Sequence, residues 1–134
     1  MPVEQQRELK LALPEDVVAV RQAIRNWAAD LGFSLVNQTK LVTAASELAR
    51  NAVIHGGGGF ARIETVSQNS RFGIRVTFQD YGPGIADIEQ AMKDGFTTAG
   101  GLGLGLGGAK RLTDEFEIQS VPGEGTRICV VRWR

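Results

Sequence analysis

Glu47 and Asn51, in the stretch "SELARN", stand four residues apart in a segment whose apolar positions recur at helical spacing. Their side chains therefore leave the same face of a helix. That pairing suits phosphoryl transfer: a carboxylate can take the proton of an attacking hydroxyl, and an amide oxygen is a hard ligand for magnesium. It also fits a solvated polar face, with Glu47 and Arg50 as an exposed ion pair. Further along, "DYGPGI" places Asp80 at the end of an apolar strand. An acceptor-only carboxylate projecting from a sheet edge into an apolar pocket matches the donor amine of adenine. Gly82 and Gly84 would let backbone approach a flat base closely; a surface turn is the competing reading.

A third stretch, "GGLGLGLGGAKRL" from Gly100 to Leu112, sets six glycines among leucines ahead of a basic, helix-compatible run. An ordered glycine gives up more backbone freedom than any other residue, so the bare backbone must be needed there. A P-loop is excluded, because Lys110 follows Ala109 and precedes Arg111. The dinucleotide fingerprint is literally present as Gly103, Gly105 and Gly108, but "DGFTTAG" before it does not read as the strand that motif must follow. A protein-kinase glycine loop would bring a strand lysine and an HRD-type catalytic loop, and neither is found.

The elements that must hold these residues are legible from periodicity. In "ELKLAL", Leu9, Leu11 and Leu13 alternate as one face of a half-buried strand. Pro14, Glu15 and Asp16 suit the first turn of a helix, Val17 to Leu31 follow helical spacing, and Gly32 is a natural stop. A second helix is expected from about Val36 to Ile54, ended by "HGGGG". "ARIETVSQ" and "RFGIRVTFQD" read as strands. In the latter, Phe72, Ile74, Val76 and Phe78 face one way and Arg75, Thr77 and Gln79 the other, which predicts a sheet covered on one face and wet on the other. A short helical piece is expected over roughly Ile88 to Asp94, and Leu102, Leu106, Ala109 and Leu112 match one helix face. "DEFEIQS" and "TRICVVRWR" close the chain as two strands joined by a "VPGEG" hairpin.

The 134 residues fit one domain, 1–134, of the α+β class: about three helices on one face of a mixed, largely antiparallel sheet. Apolar content of 43% and charged content of 22% are ordinary for a globular protein. Fifteen basic residues balance fifteen acidic ones, so no global field favours nucleic acid or an anionic membrane. The single cysteine, Cys129, reads as a buried, inert thiol. With no secretory h-region and no run near the ~20 residues of a membrane span, a cytoplasmic location is expected.

Taken in order, "ELARN", "DYGPG", "GGLGLGL" and "GEGT" resemble the N, G1 and G2 boxes and the closing threonine of the GHKL superfamily of ATP-binding domains. Within it, "SELARN", "DYGPG" and "DGFTTAGGLGLGL" are most similar to the anti-sigma-factor serine/threonine kinase branch of the RsbT type. The resemblance implies a two-layer α/β sandwich of the GHKL (Bergerat) kind that uses ATP and Mg2+. It implies Glu47 as general base, Asn51 as magnesium ligand and Asp80 as the adenine-binding aspartate beside Gly82 and Gly84. Gly101, Gly103 and Gly105 would contact phosphate, and Thr126 would support the aspartate. The glycines would then form a lid whose backbone N–H groups close over a triphosphate at the start of a helix.

The implied activity is that of a protein-serine kinase in a partner-switching module. It would phosphorylate a STAS-domain antagonist and then release it for a second partner, a phosphatase or sigma-factor regulator. Two alternatives are an anti-sigma factor that binds a sigma subunit stoichiometrically and an isolated histidine-kinase-like ATP-binding domain. The latter would need a dimerisation helix bearing a phosphoacceptor histidine, and His55 is the one histidine present. It reads as a helix-end residue. Gly107 stands where this branch often has proline, and Lys110 and Arg111 fit either a contact with phosphate or a partner, or an exposed helix face.

Overall fold

A computed structural model describes residues 3–93 and 105–134. Its elements run β1 (Val3–Leu11), α1 (Pro14–Asp30), α2 (Leu35–Ile54), β2 (Gly59–Gln68), β3 (Arg71–Asp80), α3 (Ile88–Ala91), α4 (Leu106–Arg111), β4 (Glu115–Val121) and β5 (Gly125–Trp133). The strands form one sheet in the order β1-β2-β3-β5-β4. Every pairing is antiparallel, so the parallel component of the expected mixed sheet does not occur among the described residues. Among the described residues there are two long helices and two short ones, against the about three expected.

Local chemistry sets the helix ends. Asp16 in the first turn of α1 accepts the backbone N–H groups of Ala12 and Leu13, each at 2.9 Å, and holds Lys10 at 2.9 Å. These donors pull its pKa from the ordinary 3.8 down to about 2, the Leu13 N–H contributing most. Leu13 thereby becomes the cap rather than a third strand position, and half of it stays exposed. Gly32 follows α1 at φ +83°, where an L side chain would be strained. The Ser34 hydroxyl caps α2 by accepting the N–H of Asn37.

The core lies between the helices and the sheet. Leu11, Val20, Ile24, Leu41, Leu48, Ile63, Ile74, Val76, Phe78 and Val130 are buried there. The opposite face of the sheet is less wet than alternation implies. Glu64 lies opposite Arg75 on adjacent strands and binds its guanidinium through two contacts, at 3.0 and 3.3 Å. Thr77 is buried, and Val66, Val131 and Trp133 form a second apolar cluster. Gly73 leaves room for the Trp133 indole, over which Arg71 lies at 4.3 Å. Cross-strand neighbours thus cover one another without a second layer. Cys129 is half-buried on this face, 3.7 Å from the Thr77 hydroxyl.

Candidate active site

The last rung of the β2–β3 ladder pairs Gly59 with Asp80, and there the aspartate leaves the sheet. One carboxylate oxygen, Oδ1, accepts the N–H of Gly82 at 3.1 Å and the N–H of Thr126 at 3.2 Å. Among the described residues no hydrogen bond reaches Oδ2. Burial pushes the Asp80 pKa up, and the two backbone donors pull it partly back. The carboxylate is thus half-buried and fixed in orientation, with one oxygen left for an incoming donor.

Glycines bring backbone against it. A Cβ at Gly56 would collide with the Asp80 carboxyl group, one at Gly82 with the Gly56 carbonyl, and one at Gly125 with the Asp80 carbonyl. Gly84, at φ +77°, leaves no room for a Cβ beside the Val121 carbonyl. The cavity beside Asp80 measures about 50 Å³ and is lined by Leu48, Asn51, Ala52, His55, Gly56, Phe78, Asp80, Gly84, Ile85, Leu106, Thr126 and Ile128. Its walls are mainly apolar, with acceptors at one end. That volume is water-sized, against the ~300 Å³ or more of a typical small-molecule site. A purine would therefore need this cavity to widen on binding. The glycine cradle and the acceptor-bearing end fit an adenine nucleotide in chemistry.

α2 carries the other candidates. Asn51 lines the cavity, and its backbone carbonyl accepts the N–H groups of His55 and Gly56, so the helix end and the glycine turn are built from one point. Glu47 stands one turn earlier, partly buried, with Arg50 at 3.5 Å. The ion pair of the solvated-face reading is therefore present, though its Glu47 end is partly buried. Above it sits Gly105, which starts α4 at φ +64°; a Cβ there would strike the Glu47 carboxylate. Gly105 thus packs on the proposed base at the start of a helix. Arg132 steadies α4 from β5, reaching the Leu112 carbonyl at 3.4 Å and the Asn37 side chain at 2.8 Å. Among the described residues there is no cluster of three or more metal-binding side chains.

Glu47, Asn51, Asp80, Gly82, Gly84, Gly105 and Thr126 are thus gathered around one end of α2. Thr126 reaches Asp80 through its backbone N–H, while its hydroxyl bonds to Ser120 at 2.9 Å. Gly101, Gly103 and most of the expected lid lie outside the described residues. His55 ends α2 as expected but also lines the cavity. Gly56, Ser120 and Gly125 were not singled out by sequence reasoning. Gly56 had a signal in "HGGGG", though four glycines in a row do not say which one meets the aspartate. Lys110 and Arg111 are exposed on α4.

The family model for the histidine kinase-like ATPase domain matches residues 11–132. The serine/threonine-protein kinase RsbT of Bacillus subtilis (strain 168) is 51% identical over 118 residues, 88% of this chain and 89% of that protein. An anti-sigma F factor of Thermoanaerobacter sp. (strain X514) is 32% identical over 119 residues, 84% of this chain and 82% of that one. In fold, the chain is similar to a solved structure of RsbU and RsbW domains from Mycobacterium tuberculosis, with a TM-score of 0.65 and 20% identity, covering 98% of this chain and 33% of that longer one. The chain belongs to the histidine kinase-like ATPase domain family, a family of ATP-using domains, in its branch of RsbT-type serine/threonine-protein kinases and anti-sigma F factors.

Proposed function

We propose that this chain is an ATP- and Mg2+-dependent protein-serine kinase that phosphorylates a STAS-domain antagonist and then engages a second partner. The observation that carries the reading is Asp80, oriented by the N–H groups of Gly82 and Thr126 on the same cavity as Asn51. The 51% identity to a serine/threonine-protein kinase supports the reaction class.

ATP supplies the phosphoryl group when bound. Asp80 would accept from the base amine, Gly82 and Gly84 would permit close approach of the ring, and Asn51 would hold a magnesium ion, whose charge would stabilise the phosphates. Gly101, Gly103 and Gly105 would contact the phosphates. Glu47 accepts the proton of the attacking serine hydroxyl, a role that needs the carboxylate on the open side of α2 rather than in the apolar core.

A phosphate added to the antagonist brings about −1.5 to −2 charges to the docking surface, which favours its release and frees that surface for a phosphatase or sigma-factor regulator. Incubating the chain with purified STAS proteins, ATP and Mg2+, and mapping the modified residue, tests the reading. Serine phosphorylation that is lost in Glu47→Gln is expected. Stable capture of a sigma subunit without any phosphotransfer would instead favour stoichiometric sequestration, the reading that the anti-sigma F factor relatives support.

A further inference from the structure

Ser120, on β4, stands at the centre of three hydrogen bonds beside the cavity. Its Oγ accepts the N–H of Ile85 at 2.7 Å and lies 3.2 Å from the Gly125 carbonyl oxygen and 2.9 Å from the Thr126 hydroxyl. A hydroxyl has one proton and two lone pairs. The Gly125 carbonyl can only accept, so the Ser120 proton goes there. Ile85 occupies one lone pair, and the other must receive the proton of Thr126. All three bonds form together only in this arrangement. The Thr126 proton is then committed to Ser120, and its oxygen has only lone pairs to offer the cavity that it lines.

We propose that Ser120 is a positioning residue for base selection. By fixing the direction of the Thr126 hydroxyl and tethering the wall residue Ile85, it keeps the Asp80 end of the cavity acceptor-only. Such an end takes a purine bearing an amino group and rejects one bearing a carbonyl at the same position. The inference rests on the nucleotide-site reading above. Without the Ser120 hydroxyl, Thr126 is free to rotate and donate, so a keto purine gains a partner. The Ile85 N–H loses its acceptor at the same time.

The test measures ATP and GTP binding with Mg2+ by titration calorimetry on the full chain. It compares the parent with Ser120→Ala, with Ser120→Cys, which keeps the bulk but accepts weakly, and with Ser120→Thr, which keeps the hydroxyl. The alanine and cysteine variants should lose about tenfold in preference for ATP over GTP, the size expected for one well-placed hydrogen bond, and the threonine variant should keep the parent preference. Amide exchange at Ile85, measured without nucleotide, should quicken in the alanine and cysteine variants alone. A structural role would lower the melting temperature and both affinities together and leave their ratio fixed. An unchanged ratio in the alanine and cysteine variants overturns the assignment of Ser120. A parent chain that binds neither nucleotide overturns the nucleotide-site reading itself, a result distinct from undiminished discrimination in the variants.

Discussion

Replacing Asp80 by asparagine keeps the shape of the side chain and reverses its polarity on one side. Oδ1 serves two backbone donors, Gly82 at 3.1 Å and Thr126 at 3.2 Å. Asparagine can satisfy both only by placing its carbonyl oxygen there, which turns its NH2 group to where Oδ2 stood. A donor then faces the donor amine of adenine. Losing a hydrogen bond to a charged acceptor is worth about 1.5–3 kcal/mol, and leaving a buried donor unpaired costs about 1–3 kcal/mol more. Together these predict at least about a 100-fold loss of ATP affinity.

The fold should survive the same change, and the pKa of Asp80 says why. Burial raises it above the ordinary 3.8 despite two backbone hydrogen bonds. The folded carboxyl therefore holds its proton at pH values where the unfolded one has lost it. Stability from this group falls as pH rises between those two values and stays reduced above them. Asparagine carries no such cost. The nucleotide-free variant should melt no lower than the parent at neutral pH, and any advantage should vanish below about pH 3.8. Calorimetric titration with ATP and Mg2+, alongside thermal melts, checks both halves. ATP affinity within about threefold of the parent, at equal stability, would refute the placement of the base at Asp80.

Four further outcomes are expected. Glu47→Gln should bind ATP like the parent and lose at least ~100-fold in phosphotransfer, measured in single turnover with a STAS substrate. Asn51→Ala should weaken ATP binding in Mg2+ while leaving Mg2+-free binding little changed, which parallel titrations in Mg2+ and in chelator would detect. Gly105→Ala puts a Cβ against the Glu47 carboxylate at φ +64°; it should cost about 1–2 kcal/mol in a urea melt and reduce turnover more than ATP affinity. Asp16→Asn should lower the melting temperature at neutral pH. Because the Asp16 pKa is depressed to about 2, its contribution is present above 3.8 and lost as pH falls through about 2, so parent and variant should converge there.

Elements governed by local periodicity were legible in the sequence. The alternation in "RFGIRVTFQD" marks β3 from Arg71 to Asp80, and the apolar stripe of α2 predicted its end at Ile54. The "VPGEG" hairpin joins β4 to β5, with Gly123 at φ +83°. What stayed hidden are closures between distant parts of the chain. Asp80 meets the Thr126 N–H across 46 residues, and Ile85 meets Ser120 across 35. Neither contact leaves a repeat in the sequence, and a serine in an edge strand looks like any other polar position. The covered outer face escaped for a related reason. A two-residue period separates faces but does not say that Glu64 and Arg75 will stand opposite each other and hide Thr77 nearby.

The setting of Asp80 also decides what kind of ligand it can hold. Its hydrogen bonds come from two backbone N–H groups, and none of the ion pairs among the described residues includes it. The buried acid Glu64 is treated differently: Arg75 matches it directly at 3.0 Å. A paired carboxylate has little left to offer, since a ligand must first compete with its cation. Asp80 instead bears an uncompensated part of its desolvation cost, which is what its raised pKa records. A neutral donor entering the cavity relieves that cost without displacing a partner. The glycines at 56, 82 and 125 serve the same end, because side chains there would fill the space or force the carboxylate aside. The Asp80 end is therefore poised for an uncharged amino group held close to backbone, and on the reading proposed above the charged phosphates would be met elsewhere, on the surface of α2 and at the start of α4.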